Sequence, residues 1–411
     1  MQKIYLVARF ATDANQRNLQ LLSLGNEQRQ VFLACQLKGS RFSSAQCINI
    51  RQDFRVTSIL SHLGVGHNLR VRIESKLYGP TTQVLFIKPA IRRLAKLIAQ
   101  DLKSGTSVVV VNLTPPHELV LIGHALKQQF PEIKWFIDWQ DLWSADDYYF
   151  RGTDALKRWA LRTEKQAVDL CDLNIVTNNR AKSYFEARFQ PARGKVRAIP
   201  HAYALSELKP QSTVQRLSLP EDRPLKMAFL GNLLKPPKVP GEVLLNALQE
   251  VSEHGHRFEF HVLGDKLLEK QGQAFTERYK WLIPHARKSH VQSVQCLQEY
   301  DLLVLLLGDL DVAKLILHAK LPSYLASGKP ILAIVPMESA CKDTLTACGG
   351  ACVIESRTDW GEELKLFFLR LKKDGFTFTF NARATAAFSW PQVCNLWTRM
   401  LETTKEKPST D

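Results

Sequence analysis

The sequence predicts an α/β protein built from two doubly wound, mostly parallel-sheet domains in tandem. Short apolar runs alternate with stretches of helical periodicity over residues 1–205, and the alternation restarts over 225–389. Strands of parallel sheets are buried on both faces, so the continuous apolar runs at 108–111 and 302–307 are typical of them. The polar stretch 206–224, interrupted by prolines, is predicted to be a linker. Because ligands of such sheets bind at the carboxyl ends of the strands, we expect both domains to present functional loops to one cleft.

The elements follow in chain order. In the first domain we predict strands at 4–8, 30–35, 108–111, 134–137, 173–176 and 195–199, and helices at 15–24, 88–103, just after Thr114-Pro-Pro, and at 154–168. In the second domain we predict strands at 225–230, 258–263, 301–307, 330–334 and 350–354, and helices at 241–251 and 321–326. Residues 36–85 give no clear pattern.

Basic residues are concentrated in the first half of the chain. Residues 1–205 carry 29 Lys and Arg against 16 Asp and Glu, a net charge of +13, whereas residues 206–411 carry 26 against 24, a net charge of +2. This asymmetry favours an anionic partner such as a membrane surface, a pyrophosphate lipid or nucleic acid, although solvated surface charge would also produce it. No helix-turn-helix, zinc knuckle or ribonucleoprotein motif accompanies the charge, so we do not expect nucleic acid to be the partner.

The predicted helix at 88–103 is amphipathic. Its basic residues Arg92, Arg93, Lys96 and Lys103 lie off its apolar stripe. Such a helix either lies on an anionic membrane surface or packs on a sheet with its basic face in solvent.

Composition excludes several classes of protein. Eight cysteines in 411 residues are too few for a disulfide scaffold. The apolar runs are far shorter than the roughly 20 residues of a membrane span, and the run at 4–8 is too short for a signal-peptide core. We therefore expect a cytoplasmic protein, and the basic first half favours a peripheral position at the inner face of the cytoplasmic membrane. No metal-binding motif is present in the sequence.

Two strands of the second domain each end in a glycine. Phe229-Leu-Gly231-Asn232 and Val262-Leu-Gly264-Asp265 both precede a stretch that can form a helix. A glycine there lets backbone N–H groups approach a phosphate, and Lys235 and Lys238 could neutralise its charge.

The order of several motifs resembles the bacterial group 1 glycosyltransferases of GT-B fold, which act in surface polysaccharide biosynthesis. The strongest motif, Lys320-Leu-Pro-Ser-Tyr-Leu-Ala-Ser-Gly-Lys-Pro330, is similar to the family's Lys-Leu-x-Glu-Tyr-Leu-Ala-x-Gly-x-Pro. Phe136-Ile-Asp-Trp-Gln-Asp-Leu-Trp143 is similar to the family's Asp-x-Arg-Asp-x-Trp loop, and Phe388-Ser-Trp390 to the tripeptide before its last helix. The resemblance covers roughly residues 100–400, and it implies a helix at 390–404 that crosses back to the first domain.

The resemblance implies a metal-independent, hexosyltransferase-like enzyme. It would transfer a sugar from a UDP- or GDP-type nucleotide sugar to a lipid-linked or oligosaccharide acceptor. The residues expected to bind the donor are Gly231, Asn232, Lys235, Lys238, Gly264, Asp265, Lys320, Ser323 and Tyr324. Asp138 and Asp141 follow a strand of the first domain, and either is a candidate for the general base, with Asp141 preferred.

The chain departs from the family pattern at two acidic positions. Ser323 stands where the family has its ribose-binding glutamate, and Leu315 stands at the acidic position eight residues earlier. These departures leave open a second interpretation, a non-catalytic GT-B-fold binding or scaffold subunit of a polysaccharide assembly. A nucleotide-sugar epimerase of the same architecture is a weaker third.

Overall fold

The computed structural model describes residues 1–10, 16–36, 46–51, 83–145, 154–204, 214–235, 238–356 and 360–403. The chain divides into two compact units. The first unit comprises Met1–Ile199 and Trp397–Asp411, and the second comprises Pro200–Leu396.

The first unit is built on a seven-stranded parallel sheet. Its strands are β1 (Gln2–Phe10), β2 (Arg29–Gln36), β3 (Cys47–Asn49), β4 (Ser107–Thr114), β5 (Lys134–Trp139), β6 (Leu173–Val176) and β7 (Val196–Ala198). They lie in the order β3-β2-β1-β4-β5-β6-β7, and every neighbouring pair is parallel. β4 lies near the middle of the sheet, and its residues 108–114 are buried, as a strand covered on both faces requires.

In the described part of the first unit, five helices lie between these strands. They are α1 (Gln16–Leu22), α2 (Val84–Lys103), α3 (Val120–Gln129), α4 (Asp154–Leu170) and α5 (Asn179–Arg188). The helix predicted after the Thr114-Pro-Pro sequence begins with a 3₁₀ turn, His117–Leu119, which continues into α3. Much of the predicted pattern-free stretch, residues 37–45 and 52–82, lies outside the described residues.

Helix α2 packs inside the first unit through its apolar stripe and exposes its basic face. Its apolar residues Phe86, Ala90, Leu94 and Ile98 are buried, and the helix packs on α3 and β4. The basic residues Lys88, Arg92, Arg93, Lys96 and Lys103 are exposed. The apolar stripe is therefore already used inside the first unit, and only the charged face is presented to solvent.

The second unit is built on a six-stranded parallel sheet. Its strands are β9 (Leu225–Leu230), β12 (Phe258–Leu263), β13 (Leu282–His285), β14 (Leu302–Leu306), β15 (Ile331–Val335) and β16 (Ala351–Glu355), in the order β13-β12-β9-β14-β15-β16. Its helices are α6 (Gly241–Glu253), α7 (Lys266–Arg278), α8 (His290–Gln295), α9 (Asp311–Leu315), α10 (Leu321–Ser327), α11 (Ala340–Cys348), α12 (Trp360–Lys373) and α13 (Ala382–Ala386). Two doubly wound parallel sheets, as the sequence predicted, thus form the frame of the protein.

The second sheet separates two apolar cores. Met227 and Phe229 of β9 belong to one core, whereas Ala228 between them belongs to the other. Leu303 and Val304 of β14 divide in the same way. Successive side chains of a strand point to opposite faces of the sheet, so an uninterrupted apolar strand contributes side chains to the cores on both faces.

The predicted linker is only partly described, and part of it is a strand. Strand β8 (Val214–Leu217) pairs antiparallel with β17 (Phe376–Thr379) within the second unit, and residues 205–213 lie outside the described residues. Residues 214–217 of the predicted linker are therefore a strand, which the sequence did not signal because Val-Gln-Arg-Leu does not alternate apolar and polar residues. A second short pair, β10 (Leu234–Lys235) with β11 (Val239–Pro240), flanks α6.

The last helix, α14 (Trp390–Thr403), matches the predicted span 390–404 up to its final residue, which is outside the described residues. Its residues from Trp397 onward are assigned to the first unit. There Trp397 is buried, and the guanidinium of Arg17 lies 5.5 Å from the centroid of its ring.

Candidate functional site

In the second unit, the candidate donor residues gather where β9 ends. Gly231 has φ of +94° and Gly264, at the end of the neighbouring β12, has φ of +87°. These angles lie in the region that glycine adopts without a steric penalty, so both turns depend on the missing side chain. The space around the Cα of Gly231 is open, with no described atom within 4 Å of a Cβ built there.

The glycine N–H groups themselves are not available to a ligand. Gly231 N donates to the carbonyl of Leu263 at 2.8 Å, and Gly264 N donates to that of His285 at 3.3 Å. The N–H of Asn232, one residue further, has no acceptor among the described residues. The sequence predicted the glycine turn and expected its backbone N–H groups to approach a phosphate. Among the described residues, the backbone N–H without an acceptor in this turn is that of Asn232. The Asn232 side chain is exposed.

Asp265 holds this turn together. Its Oδ2 accepts the N–H groups of Leu233 at 2.6 Å and Leu234 at 2.9 Å. Its Oδ1 accepts those of Leu267 at 2.7 Å and Leu268 at 3.0 Å, which makes Asp265 the N-cap of α7. The side chain is buried, and both oxygens are occupied. Asp265 therefore shapes the turn, and its oxygens have no evident role in contacting a ligand.

The backbone of Leu230, the residue before Gly231, is held through both its N–H and its carbonyl by residues of the Lys-Leu-Pro-Ser-Tyr motif. The Tyr324 hydroxyl accepts the N–H of Leu230 at 2.9 Å, and Lys320 Nζ donates to the carbonyl of Leu230 at 2.5 Å. Tyr324 and Ser323 are buried inside α10. Tyr324 thus packs and positions the end of β9.

Lys320 is a buried base whose pKa is lowered. Its ammonium lies 3.5 Å from the centroid of the Phe229 ring, and burial lowers its pKa to about 7. Two residues earlier, the pKa of His318 is held well below its usual value by burial and by the charges of Lys320, His201 and Lys235. We call these four residues the basic cluster. Nδ1 of His318 is buried and has no hydrogen-bond partner among the described residues.

The basic cluster and the Gly231 turn together favour the binding of an anion. An anion would stabilise the protonated form of Lys320 and give the buried Nδ1 of His318 a partner. The remaining predicted base, Lys238, follows the same loop and is half-buried, and its carbonyl accepts the N–H of Gly308 at 2.9 Å. His318 was not among the residues that the sequence analysis singled out, although its position two residues before Lys320 was the available signal.

In the first unit, the structure gives Asp138 and Asp141 different surroundings. Asp138 is fully buried at the end of β5, and both its oxygens accept from Arg17, at 2.7 Å from Nε and 2.7 Å from Nη2. Arg17 also donates to the carbonyl of Ile199 at 3.1 Å, and Gln140 Nε2 donates to Asp138 Oδ2 at 3.2 Å. A carboxylate held in this way by a bidentate arginine is well suited to hold the fold together.

Asp141 is half-buried and lies three residues beyond Asp138, in the loop that follows β5. We call residues 140–145 the carboxylate loop. Its next tryptophan, Trp143, is buried, and its ring stacks on His117 with a centroid distance of 5.4 Å. Trp159 of α4 meets Trp143 edge to face at 5.9 Å. The aromatic contacts fix the loop just after the carboxylate.

A buried acid that the sequence analysis did not assign a role lies beneath this loop. Glu164 of α4 is 1% exposed, and its Oε1 accepts the N–H of Ser144 at 3.2 Å. Burial raises the pKa of Glu164 to about 7, although Ser144 and Arg188 act in the opposite direction. Its Oε2 has no hydrogen-bond partner among the described residues. Only its burial distinguishes Glu164 from the other acids of α4, which is why the sequence gave no signal.

Two further findings concern the described residues alone. None of their helices is long and apolar enough to cross a membrane. They contain no group of three or more His, Cys, Asp or Glu side chains that could hold a metal ion.

Comparison with known proteins identifies the architecture. No protein-family model matches the chain, and no curated protein sequence matches it either. A sucrose-phosphate synthase from Thermosynechococcus elongatus is 15% identical and superposes with a TM-score of 0.65, covering 98% of this chain and 99% of its own. The apo form of the lipopolysaccharide outer core galactosyltransferase WaaB is 10% identical with a TM-score of 0.61, covering 98% and 100%. The chain has the GT-B fold. MnaA from S. aureus, in a co-structure with UDP, is 11% identical with a TM-score of 0.54, covering 100% of this chain and 99% of its own.

The GT-B fold confirms the predicted fold class and the resemblance drawn from the motifs. At identities of 10–15% the likeness shows the fold. The chemistry must therefore be argued from the basic cluster, the Gly231 turn and the carboxylate loop of this chain.

We expect Glu164→Gln to stabilise the protein at alkaline pH. A carboxyl whose pKa is raised on folding, here from 4.5 to about 7, destabilises the folded state above that pH, and the penalty vanishes below the unfolded value. The shift corresponds to about 3 kcal/mol. The melting temperature of the variant should exceed that of the wild type at pH 8 and approach it at pH 5. Exposed Glu132→Gln serves as the control, and an equal difference at both pH values would contradict the assignment.

Proposed function

We propose that this chain is a glycosyltransferase that transfers a sugar from a UDP- or GDP-type nucleotide sugar to a lipid-linked or glycan acceptor in surface polysaccharide biosynthesis. The observation that carries the proposal is the basic cluster beside the Gly231 turn, at the carboxyl end of β9 in a GT-B fold. Anions bind where backbone N–H groups and basic side chains converge, and a nucleoside diphosphate is the anion that the donor presents.

The diphosphate would be neutralised by the protein's own groups. The N–H of Asn232, Lys238 and the protonated Lys320 are the proposed donors. Nδ1 of His318 can donate to a phosphate oxygen when the neutral ring carries its proton there. Stabilising the leaving diphosphate lowers the barrier to transfer because negative charge accumulates on it as the glycosidic bond breaks. The proposal assigns this countercharge to side chains, so it describes a metal-independent transferase.

We assign the general base to Asp141. The acceptor hydroxyl must lose its proton as it attacks, and a carboxylate within hydrogen-bond reach can take it. Asp138 is fully buried with both oxygens bound to Arg17, whereas Asp141 is half-buried in the loop that follows β5. Asp138 then acts as the residue that positions the carboxylate loop.

Membrane attachment is the proposed role of α2. Its exposed Lys88, Arg92, Arg93, Lys96 and Lys103 form a basic face, while its apolar stripe is buried within the first unit. Attachment at the inner face of the cytoplasmic membrane would therefore be electrostatic and would bring the protein to a lipid-linked acceptor.

The second candidate function is a non-catalytic GT-B binding or scaffold subunit. Leu315 and Ser323, at positions where the family carries acids, favour it. The two readings separate in one experiment that screens nucleoside diphosphates and nucleotide sugars for a rise in melting temperature and then assays the binders for transfer. Binding with turnover supports the transferase, and binding without turnover for any nucleotide sugar supports the subunit.

Lys238→Ala should weaken UDP binding by roughly tenfold or more, because a charged hydrogen bond to phosphate contributes about 1.5–3 kcal/mol. Isothermal titration calorimetry with UDP and GDP measures the change. Lys373→Ala, at the exposed end of α12, is the matched control. Unchanged affinity of Lys238→Ala would remove this lysine from the site.

UDP binding should weaken as the pH rises above 7. Lys320 loses its proton with a pKa of about 7, and an anion binds the protonated form more tightly. Between pH 7 and 9 the dissociation constant should rise by up to about tenfold per pH unit, with net proton uptake on binding. Lys320→Arg keeps its charge and should flatten the profile. A flat profile in the wild type would argue against a contact between Lys320 and phosphate.

Asp141→Asn should lower turnover by roughly 10²–10⁴-fold while leaving nucleotide affinity nearly unchanged, because the substitution keeps the shape and removes the basicity. Asp138→Asn is the comparison variant. It breaks a buried ion pair and should cost about 3–5 kcal/mol of stability, visible as a lower melting temperature. Near-normal turnover in Asp141→Asn would place the base elsewhere.

Arg92→Gln/Arg93→Gln/Lys96→Gln should release the protein from anionic vesicles. Each basic residue near a charged surface contributes about 1 kcal/mol, so the triple variant should bind about 100-fold more weakly. Sedimentation with phosphatidylcholine vesicles, with and without phosphatidylglycerol, measures binding at low and high salt. The control replaces exposed Lys270, Lys280 and Lys373 of the second unit in the same way. Equal binding of the wild type to both vesicle types would refute the electrostatic attachment.

A further inference from the structure

The carboxylate loop rests on a single buried acid. After β5 the chain passes through Asp141 and Trp143 to Ser144, whose N–H donates to Glu164 Oε1 at 3.2 Å. Glu164 lies in the middle of α4, a helix of 17 residues, so it is fixed while the loop is held from one end by the strand. The contact between Ser144 and Glu164 therefore helps to set where the loop lies, together with the aromatic contacts of Trp143.

The polar groups at this contact are incompletely matched. Oε2 of Glu164 and the hydroxyl of Ser144 are both buried, and neither makes a hydrogen bond within ordinary geometric limits to a described residue. The backbone N–H of Ser144, which donates to Oε1, stabilises the ionised form of Glu164. An ionised Glu164 can only accept hydrogen bonds, whereas a neutral Glu164 must place one proton on an acceptor. The ionised carboxylate therefore needs hydrogen-bond donors around it, whereas the neutral carboxyl also needs an acceptor.

The surrounding charges do not fix Glu164 in one form. Of the charged groups on the described elements that pack near α4, Lys127 is paired with Asp172, and Arg188 at the end of α5 favours the ionised carboxylate. Burial opposes ionisation more strongly and brings the pKa of Glu164 to about 7. Both forms are therefore populated near neutral pH.

We propose that Glu164 is a positioning residue whose gain or loss of a proton changes its hydrogen bonding to Ser144 and so moves the Asp141 carboxylate. The buried Trp143 lies between these two loop residues and packs against His117 and Trp159, so a shift of Ser144 is transmitted to its ring. The catalytic consequence rests on the proposed function, but the movement of the loop does not.

Tryptophan fluorescence of the whole chain tests the movement without any substrate. The wild type should show a fluorescence transition centred near pH 7, because Trp143 and Trp159 change their environment when Glu164 titrates. The transition should be absent in Glu164→Gln, smaller in Trp143→Phe, which leaves only Trp159 to report it, and unchanged in the control Glu132→Gln. A transition that survives in Glu164→Gln, or that is missing in the wild type, overturns the proposal.

Ser144→Pro keeps the proposal testable if Glu164→Gln does not fold. The variant retains the acid and removes the N–H that donates to Glu164 Oε1 and favours its ionised form, so the midpoint of the fluorescence transition should move to higher pH. An unchanged midpoint, or a move to lower pH, contradicts the proposed contact.

The pH profile of turnover distinguishes this inference from the proposed function. At saturating donor, where the bound diphosphate keeps Lys320 protonated, the wild type should show an inflection of kcat near pH 7 that Glu164→Gln lacks, while the pH dependence of UDP affinity is the same in both proteins. A role in packing alone would lower stability without removing the inflection, and that result would overturn the positioning role. A fluorescence transition in a protein without turnover would support the loop movement and contradict the proposed function.

Discussion

One buried carboxylate organises the end of β9 on which the candidate donor site depends. Asp265 accepts four backbone N–H groups, two from the turn after Gly231 and two from the first turn of α7. Backbone donors surround the negative charge, so it can remain in the interior without a basic partner. Replacing Asp265 by an apolar residue would leave all four N–H groups without their acceptor. These four hydrogen bonds hold the turn in a fixed shape beside the open space at Gly231.

The first unit uses a buried carboxylate for the same purpose, but with a side-chain partner. Asp138 is bound by Arg17, and Arg17 also reaches the carbonyl of Ile199 and the ring of Trp397. In both units, then, a buried and fully hydrogen-bonded acid shapes the frame, and buried groups with incomplete hydrogen bonding carry the proposed chemical and positioning roles. Lys320 and Glu164 are of this second kind, since burial brings the pKa of each near 7.

Sequence periodicity located the sheets because an uninterrupted apolar strand has few other interpretations. The spans predicted for β6, β9 and β12 agree with those observed. Periodicity could not predict contacts between residues that are distant in the chain. β8 pairs with a strand about 160 residues away, and Arg17 meets an aspartate 121 residues away. The sequence also located Lys320 and the Gly231 turn, but the depressed pKa of that lysine follows from burial, which no local pattern encodes.

Helix α14 has a consequence for how the protein is made. The first unit includes residues from Trp397 onward, so its chain is interrupted by the whole of the second unit. A ribosome adding about 5–20 residues per second needs roughly 10–40 seconds for the intervening stretch. During that interval the newly synthesised first unit lacks Trp397 against Arg17 and the contact of Glu402 with Arg29. Residues 1–199 therefore acquire their full set of contacts only after the second unit has been synthesised.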